Sequence, residues 1–231
     1  MILTVLEPAY CPDLHTCSRL LNADIIVWAD TFIFKKQSSI NRMAVKTDQG
    51  KSWLTIPART TGQHPRSIRE TNIDIRQNWQ QKHLLTLASS YRKTPFFEYY
   101  IDPWTRILEQ KWVELEPLIF STTQFILKKL QLFPAIIKAN QLPEIRDRSR
   151  RVCAWLKATN CDTYLVAEHK SHLIDRHIIE QEGYEIKIHR VQNEAYFQLF
   201  GDFIENLSAL DLLFNEGIEG KYYLLDKDRI I

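Results

Sequence analysis

Residues 2–30 of the chain are ILTVLEPAYCPDLHTCSRLLNADIIVWAD, and they predict the topology of the whole protein. Ile2–Leu6 is an apolar run with the length of one buried strand, and Ile25–Trp28 is a second such run. Between them, Thr16–Leu21 has the pattern of one or two helical turns. A strand, a helix and a strand in so short a stretch predict the right-handed crossover of a parallel sheet.

The loop between the first strand and the helix, Glu7–His15, is the leading candidate for a functional site. It carries carboxylate, phenol, thiol and imidazole side chains together with two prolines. In parallel sheets, ligands bind beyond the carboxyl ends of the strands, and this loop directly follows the first strand. We therefore expect its side chains to face a binding site.

The composition limits the class of protein. The chain has 231 residues, of which 45% are hydrophobic and 25% charged, so it can form a sizeable core. The formal net charge of +2 gives no reason to expect nucleic acid or an acidic membrane as a partner. No apolar run reaches the roughly eighteen residues of a membrane span, and no signal-peptide pattern is recognisable. We expect a reduced, cytoplasmic protein, because such a core does not need its four cysteines as disulfides.

The periodicity predicts three successive parts of a single domain. Residues 1–76 have the pattern of an α/β part, residues 77–143 of a helical segment, and residues 144–231 of a second, smaller α/β part. The predicted fold class is therefore α/β, with a mainly parallel sheet that starts with the β-loop-α-β unit. The strands of the third part either rejoin the first sheet or form a small sheet beside it.

Several elements outside the first unit can also be predicted. Met43–Lys46 and Trp53–Ile56 flank a good turn sequence and predict a hairpin. Trp104–Phe133 has a helical pattern, in which Pro117 marks a break. The other predicted elements are strands at Thr31–Phe34, Ile73–Ile75, Thr163–Ala167 and Tyr184–Val191, a basic loop at Ala58–Arg69, helices from Asn78 to before Pro95, at Ile145–Ala158, Ser171–Gln181 and Leu207–Asn215, and an extended tail at Tyr222–Ile231.

The opening motif and several later ones resemble the WbqC-like protein family. The stretch Glu7–Pro12 is similar to the family's Leu-Gln-Pro-x-Tyr-Phe-Pro-Trp, although Glu7 replaces glutamine and Asp13 replaces tryptophan. The family has an aromatic residue ahead of an Asn-Arg pair, where this chain has Ser39-Ile40. The later matches are Asn41-Arg42, Lys46-Thr47, Gly50, Trp53-Leu54-Thr55, Pro57, Trp79, Lys82-His83-Leu84, Tyr91, Pro95-Phe96, Tyr196-x-Gln198, Phe203, Leu207-Ser208 and Asp211-x-Leu213-Phe214-Asn215-x-Gly217.

This resemblance implies a bacterial function in the biosynthesis of cell-surface polysaccharide, including the O-antigen of lipopolysaccharide. It implies a transferase or ligase that adds an acyl or aminoacyl group to the amine of an amino sugar. The implied small-molecule substrate is a nucleotide- or phosphate-bearing sugar, and acyl-CoA, ATP or a nucleotide sugar is the donor or acceptor. Whether the protein forms an oligomer stays open. The replacements at Glu7 and Ser39-Ile40 also leave open a ligand-binding member of the family that has lost its activity.

The residues predict a transfer site with three catalytic candidates, His15, His83 and Asp211. His15 would contact phosphate or act as an acid or base, and a neutral His83 could deprotonate an attacking ammonium. Asp211 would orient a base or a sugar hydroxyl. Six further residues are predicted to bind the substrate, with Arg42 offering bidentate contacts to phosphate. These six are Glu7, Tyr10, Asn41, Arg42, Lys46 and Gln198.

The opening unit is also similar to that of nucleotidylyltransferases and pantothenate synthetase. In those enzymes a histidine-bearing loop binds ATP phosphates over a helix N-terminus, and Pro12 and His15 stand in a comparable place here. The second histidine and the glycine of that motif are missing. The similarity therefore concerns the fold more than the site.

Each candidate residue also has a structural interpretation. His83 could pack on the half-buried side of a helix, and Glu7 could brace its loop. Asn41-Arg42 could cap the hairpin, and Asp211 suits the start of a helix. No metal is expected, because Cys11, His15 and Cys17 lack the partner ligands of a zinc site. Two further groups of charged or titratable residues, one of histidines and one of arginines, are explained by a solvated surface, although the arginines could also bind phosphate. They are His169, His172 and His177, and the arginines at 146, 148, 150 and 151.

Overall fold

The computed structural model describes residues 1–59, 66–190 and 194–225. The strands are β1 (Ile2–Leu6), β2 (Ile25–Trp28), β3 (Arg42–Thr47), β4 (Gly50–Thr55), β5 (Ala135–Lys138), β6 (Thr163–Ala167) and β7 (Glu185–His189). The helices are α1 (Leu14–Leu21), α2 (Trp79–Tyr91), α3 (Phe97–Leu108), α4 (Leu115–Lys129), α5 (Arg148–Thr159), α6 (Glu168–Ser171), α7 (Arg176–Gln181) and α8 (Ala209–Glu216).

Five of the strands form a parallel sheet in the order β5-β2-β1-β6-β7. In this sheet Leu3 lies opposite Ile25, and Thr4 lies opposite Leu165. The chain starts at the centre with β1, continues outward through β2 and β5, and then returns to form β6 and β7 on the other side. The predicted α/β fold class is confirmed, and the strands of the C-terminal part rejoin the first sheet.

Both faces of this sheet are covered, which explains why its strands are almost continuously apolar. On one face, Leu3 and Val27 pack in a cluster with Trp155 of α5. On the other face, Ile26 and Trp28 belong to the main core, to which α1, α4 and α8 contribute. The alternation of side chains along β1 and β2 therefore assigns one layer of helices to each face.

The remaining strands, β3 and β4, form a separate antiparallel hairpin, as the sequence predicts. Thr47 lies opposite Gly50 at its turn. Helix α2 supports the hairpin through two contacts, one buried and one partly buried. The backbone N–H of Lys46 donates to Tyr91 Oη (2.7 Å), and His83 Nε2 lies 3.2 Å from Thr55 O.

The helical pattern over Trp104–Phe133 is interrupted, as predicted, but the predicted position of the break is wrong. The chain leaves helical geometry between α3 and α4, at residues 109–114, and not at Pro117. Pro117 lies in the first turn of α4. A proline is tolerated there because the first backbone N–H groups of a helix have no intrahelical acceptor.

Two predicted strands are also absent from the described structure. Thr31–Phe34 contributes only an isolated bridge from Ile33 to Ser67, and Ile73–Ile75 only a bridge from Ile73 to Ala58. Apolar, β-branched residues suit a strand locally, but a strand also needs a neighbouring strand along its full length. No such neighbour is available within the described residues.

The C-terminal part contains further differences from the predicted elements. The expected helix Ser171–Gln181 is interrupted, because Asp175 caps a new helix, α7, by accepting a hydrogen bond from His177 N–H (3.0 Å). The first residues of the expected extended tail belong to a 3-10 helix, Gly217–Leu224.

Parts of three predicted segments lie outside the described residues. They are residues 60–65 of the basic loop, residue 191 at the end of the predicted strand Tyr184–Val191, and residues 226–231 of the tail. Along the described ranges, none of the helices has the length and apolarity that crossing a membrane requires.

Gly217, directly after α8, is predicted to be required for stability. Its φ of 62° and ψ of −144° are accessible essentially only to glycine, and a Cβ here would lie 2.8 Å from Phe96 Cδ1. Gly183 also has a positive φ (84°), but a Cβ there would meet nothing within 4 Å. Gly183→Ala should therefore lower the free energy of unfolding by about 1–2 kcal/mol through backbone strain alone.

Gly217→Ala should cost about 1–3 kcal/mol more than Gly183→Ala, because overpacking against Phe96 adds to the strain. Urea denaturation of the two variants and the wild type measures both losses. Equal losses in the two variants would show that the contact with Phe96 contributes nothing.

Candidate functional site

A cavity of about 350 Å³ lies at the carboxyl edge of the parallel sheet, beside the ends of β1, β6 and β7. The strand order reverses between β1 and β6, and doubly wound sheets bind their ligands in the crevice at that position. The volume falls within the range of about 300–1,000 Å³ that is usual for ligand pockets. Helix α1, the hairpin and the segment before α8 complete the walls.

The segment before α8 connects the loop after β1 to the hairpin. Ala209 N–H donates to Pro12 O (2.9 Å), and Ser208 N–H donates to Ala44 O (2.9 Å). Both hydrogen bonds are made by backbone atoms, so they depend on the path of the chain and not on side-chain rotamers. They hold two walls of the cavity at a defined separation.

The N-terminus of α1 does not offer free backbone N–H groups to a ligand. The N–H groups of Leu14 and His15 donate to Leu207 O and Asn206 Oδ1 (3.3 and 3.2 Å). That of Thr16 donates to the capping carboxylate of the residue before α1 (2.8 Å). The similarity to enzymes that bind phosphate over this helix terminus therefore does not extend to the binding groups. The backbone at this helix terminus therefore offers no binding group to an anion in the cavity.

Positively charged side chains predominate in the lining, which contains four Lys or Arg residues and two carboxylates. One carboxylate, Glu7, forms an ion pair with Lys170 (3.2 Å), and the other caps α1. Arg19, Arg42 and Lys51 have no carboxylate within 4.0 Å in the described ranges. Cations around one cavity without their own carboxylates indicate an anionic ligand, because charge-assisted hydrogen bonds would satisfy them.

Arg19 is the most deeply placed of these three cations, with only 6% of its surface exposed. Its Nη1 donates to Thr4 Oγ1 and to Val5 O (3.2 Å). Burial lowers the pKa of Arg19 from its usual value, although a guanidinium stays protonated at neutral pH. A buried charge without a counter-ion carries a desolvation cost of several kcal/mol, which a bound anion would offset.

The hairpin presents a cationic and aromatic wall to the cavity. The guanidinium of Arg42 lies 4.1 Å from the centre of the Trp53 ring, and Lys51 Nζ lies 5.3 Å from it. The Trp53 side chain is 46% exposed. Arg42 Nε is buried and has no hydrogen-bond partner among the described residues. An exposed indole between two cations suits a ring-bearing ligand that also carries negative charge.

Three imidazoles line the same cavity, those of His15, His169 and His189. Partial burial lowers the pKa of His169, and the positive charges of Lys170 and Arg19 add to this effect. The ring of His169 is therefore neutral at physiological pH and able to accept a proton.

Sequence reasoning missed several of these residues. The sequence predicts a solvated surface for His169, and the side chain is indeed exposed, but it also lines the cavity because it lies two residues after β6 at the carboxyl edge of the sheet. His189 is the last residue of β7 at the same edge. Their positions at the ends of predicted parallel strands are the signal that could have identified them. Nothing in the sequence pattern distinguishes Arg19 from an ordinary surface residue of an amphipathic helix.

Of the nine predicted site residues, the structure brings Glu7, His15 and Arg42 together around the cavity. His83 does not line it and is only 4% exposed. Its Nδ1 lies 3.0 Å from Tyr10 Oη, and its Nε2 must donate to a backbone carbonyl oxygen of β4. The predicted grouping is corrected here, because His83 and Tyr10 lie in the core. Burial lowers the pKa of His83 to about 4.

Asp211, Lys46 and Gln198 belong to a buried polar network instead of the cavity lining. The Asp211 carboxylate accepts hydrogen bonds from Tyr91 Oη (2.7 Å), Tyr196 Oη and Gln198 Nε2 (3.1 Å). Burial raises the pKa of Asp211, and these donors oppose the rise. Lys46 Nζ donates to two backbone carbonyl oxygens ahead of α8, and burial lowers its pKa.

Asn41 also lies away from the cavity and holds the base of the hairpin. Its Nδ2 donates to Ile56 O (2.8 Å), and Ile56 N–H donates to Asn41 O (2.7 Å). With 3% of its surface exposed, Asn41 has no route to a ligand. The geometry corresponds to the capping interpretation of this residue.

The cavity also contains a cysteine, Cys11, whose backbone has a φ of 58°. Burial raises the pKa of its thiol to about 12, so the thiolate that a nucleophile requires is not formed at neutral pH. In residues 1–59, 66–190 and 194–225, no three His, Cys, Asp or Glu side chains are grouped in a way that could hold a metal ion.

The fold and the cavity together define a doubly wound α/β protein with a cavity lined by positively charged side chains at the switch point of its sheet. The sequence pattern of the WbqC-like protein family matches residues 7–223, and the chain belongs to this family. The chain is also similar to the uncharacterized protein Rv1507c of Mycobacterium tuberculosis (strain ATCC 25618 / H37Rv). The two are 26% identical over 209 residues, which cover 87% of this chain and 90% of that protein. No solved structure matches the chain.

The buried imidazole of His83 should make stability depend on pH. Its folded-state pKa of about 4 lies below the ordinary value of 6.5, so the unfolded chain binds more protons between these values. The contribution of the neutral His83 to the free energy of unfolding is therefore complete above pH 6.5. It is lost as the pH falls towards 4, by about 3 kcal/mol in total. His83→Gln should lack this loss, so the stability difference between wild type and variant should shrink on acidification.

Urea unfolding of wild type and His83→Gln at several pH values in this interval measures the effect. His172→Gln, which changes an exposed imidazole, provides the matched control and should follow the wild type. A difference between wild type and His83→Gln that stays constant across the interval would contradict the assignment of a buried, neutral imidazole.

Proposed function

We propose that the protein is a transferase that adds an acyl or aminoacyl group to the amine of a phosphate-bearing sugar. One observation carries this proposal: Arg19, Arg42 and Lys51 surround a single cavity without carboxylate partners among the described residues. Such a set favours a phosphate group. The neutral imidazole of His169 in the same cavity supplies the base that an attacking amine needs.

In the proposed complex the sugar occupies the 350 Å³ cavity, with its phosphate against Arg42, Lys51 and Arg19. The exposed face of Trp53 packs against the sugar ring or an attached base. His15, at the start of α1, keeps its predicted role as a contact to phosphate or as an acid. Because the sugar is polar on all sides, the mixed polar lining of this cavity suits it.

The transfer step follows from ordinary acyl chemistry. The amine nitrogen attacks the carbonyl carbon of the donor, and a nitrogen–carbon bond forms. One proton of the nitrogen passes to His169, whose lowered pKa leaves it free to accept. The bond from the carbonyl carbon to the oxygen of a phosphate or the sulfur of a thioester breaks, and the leaving group keeps the bonding electrons.

The biological setting is part of the proposal and rests on the family resemblance. The reaction would take place in the bacterial cytoplasm, on an amino-sugar intermediate of a cell-surface polysaccharide such as the O-antigen of lipopolysaccharide. Asp211, Lys46, Gln198, Tyr10, Asn41 and His83 would support the site from within the core and would not touch the substrate.

Two single substitutions test the proposal. Arg42→Gln should weaken binding of UDP-glucosamine about 10- to 100-fold, because a charge-assisted contact to phosphate is lost. His169→Asn should leave binding almost unchanged and lower the rate of acyl transfer from acetyl-CoA about 10²- to 10⁴-fold, because the base is lost. Calorimetry measures binding, and mass spectrometry of the sugar product measures transfer.

His172→Asn is the matched control, because His172 is exposed, lies three residues further along and does not line the cavity. It should bind and react like the wild type. Wild-type affinity in Arg42→Gln would overturn the assignment of the site. Tight sugar binding by the wild type without transfer from any acyl donor would instead support the ligand-binding member that has lost its activity.

A further inference from the structure

A second cavity, of about 600 Å³, adjoins the first at the same edge of the sheet. Glu7 and Lys170 line both cavities, and Lys170 Nζ lies 3.2 Å from Glu7 Oε2. This ion pair is therefore part of a wall that the two cavities share. The second cavity lies on the face of the sheet that α5 covers, because Val5, Val152 and Trp155 belong to that hydrophobic cluster.

The second cavity combines an apolar floor with a cationic rim. Strands β1 and β6 and helix α5 supply apolar side chains such as Val5, Val166 and Val152. A lining of this kind suits a ligand with an apolar or aromatic body and an anionic group. The charged residues of the lining are the five cations Lys35, Arg69, Arg148, Arg151 and Lys170 and the two carboxylates Glu7 and Glu144.

The guanidinium of Arg151 is only partly hydrogen-bonded. Its guanidinium carbon lies 5.2 Å from the centre of the Phe32 ring and 5.4 Å from that of Trp155. Its Nε is buried and has no hydrogen-bond partner within the described part of the chain. The contact from Nη1 to Ile145 O, at 3.5 Å, is at the limit of a hydrogen bond.

A like charge lies next to Arg151 on the same helix. Arg148 is three residues earlier, and residues at this spacing share one face of a helix. No carboxylate lies within 4.0 Å of either guanidinium among the residues described. Burial lowers the pKa of Arg151, and the positive charge of Arg148 lowers it further. Adjacent cations in a partly apolar cavity are costly unless an anion joins them.

A solvated helix surface does not explain the whole arginine run. Arg146 and Arg150 are exposed and line neither cavity, so they fit that interpretation. Arg148 and Arg151 line the second cavity, and Arg151 is partly buried beneath two aromatic rings. The arginines of the run therefore lie in two kinds of surroundings, and only Arg148 and Arg151 face a cavity.

We propose that the second cavity binds a phosphate-bearing ligand with an apolar or aromatic body, held by Arg148 and Arg151. Because the Glu7–Lys170 ion pair lines both cavities, this ligand and the ligand of the first cavity would meet at that pair. Naming the second ligand as the acyl donor rests on the proposed function. The binding site itself does not depend on it.

Calorimetric titration of the full chain with ATP, with acetyl-CoA and with inorganic phosphate tests the inference. ATP or acetyl-CoA should bind, and inorganic phosphate should bind more weakly because it lacks a body for the apolar floor. Arg151→Gln should weaken the binding of that ligand about 10- to 100-fold. Arg148→Gln, at an exposed position, should weaken it in the same direction and guards against a folding defect in Arg151→Gln.

Arg150→Gln is the matched control, because it removes the same charge from the same helix but away from the cavity, and it should bind as the wild type does. The inference is overturned if neither ATP nor acetyl-CoA binds, or if both cavity variants keep wild-type affinity. It is also overturned if Arg42→Gln, in the first cavity, removes this binding. Binding that depends on Arg151 without any acyl transfer would refute the proposed function and leave the second site standing.

Discussion

The hydrogen bonds to the buried carboxylate of Asp211 are the interaction on which the geometry of the site depends. Tyr91, Tyr196 and Gln198 donate to this carboxylate, and they come from α2 and from the segment ahead of α8. A buried carboxylate is costly unless its oxygens accept hydrogen bonds. These donors therefore favour one arrangement of α2, the segment ahead of α8, and α8 itself, which carries Asp211. That arrangement sets the path of residues 206–209, which join the loop after β1 to the hairpin. The cavity is a consequence of this connection.

The switch point of the sheet then explains why two cavities lie side by side. The chain adds β2 and β5 on one side of β1 and later adds β6 and β7 on the other side, so the carboxyl ends of β1 and β6 border a crevice that is accessible from either face. Glu7 stands at this point and pairs with Lys170. A neutral side chain at position 7 could not form this ion pair with Lys170. The carboxylate of Glu7 therefore neutralises the charge of Lys170 in the wall that both cavities share.

Several of the most recognisable family motifs form the support of the site and not its surface. His83 and Asp211 are chemically versatile, but both are buried and hydrogen-bonded within the core. Arg42, which is part of an equally recognisable motif, faces the cavity. Residue type and motif alone do not separate these cases, because burial depends on which distant elements pack against the motif. Tyr10 illustrates this, since it lies in the candidate loop and yet points into the core beside His83.

Local apolar periodicity was sufficient to predict the first crossover, the hairpin and the α/β class, because a strand or a helix is specified by neighbours in the chain. It failed for Thr31–Phe34, where the strand pattern has no partner strand along its length within the described structure. The cavities could not be predicted in this way, since their walls combine residues as distant in the chain as Glu7 and Ser208. Arg151 and His169 have the same surface-like sequence pattern as Arg150 and His172, which line neither cavity. Only the packing of α5 and β6 at the edge of the sheet places these two side chains beside a cavity.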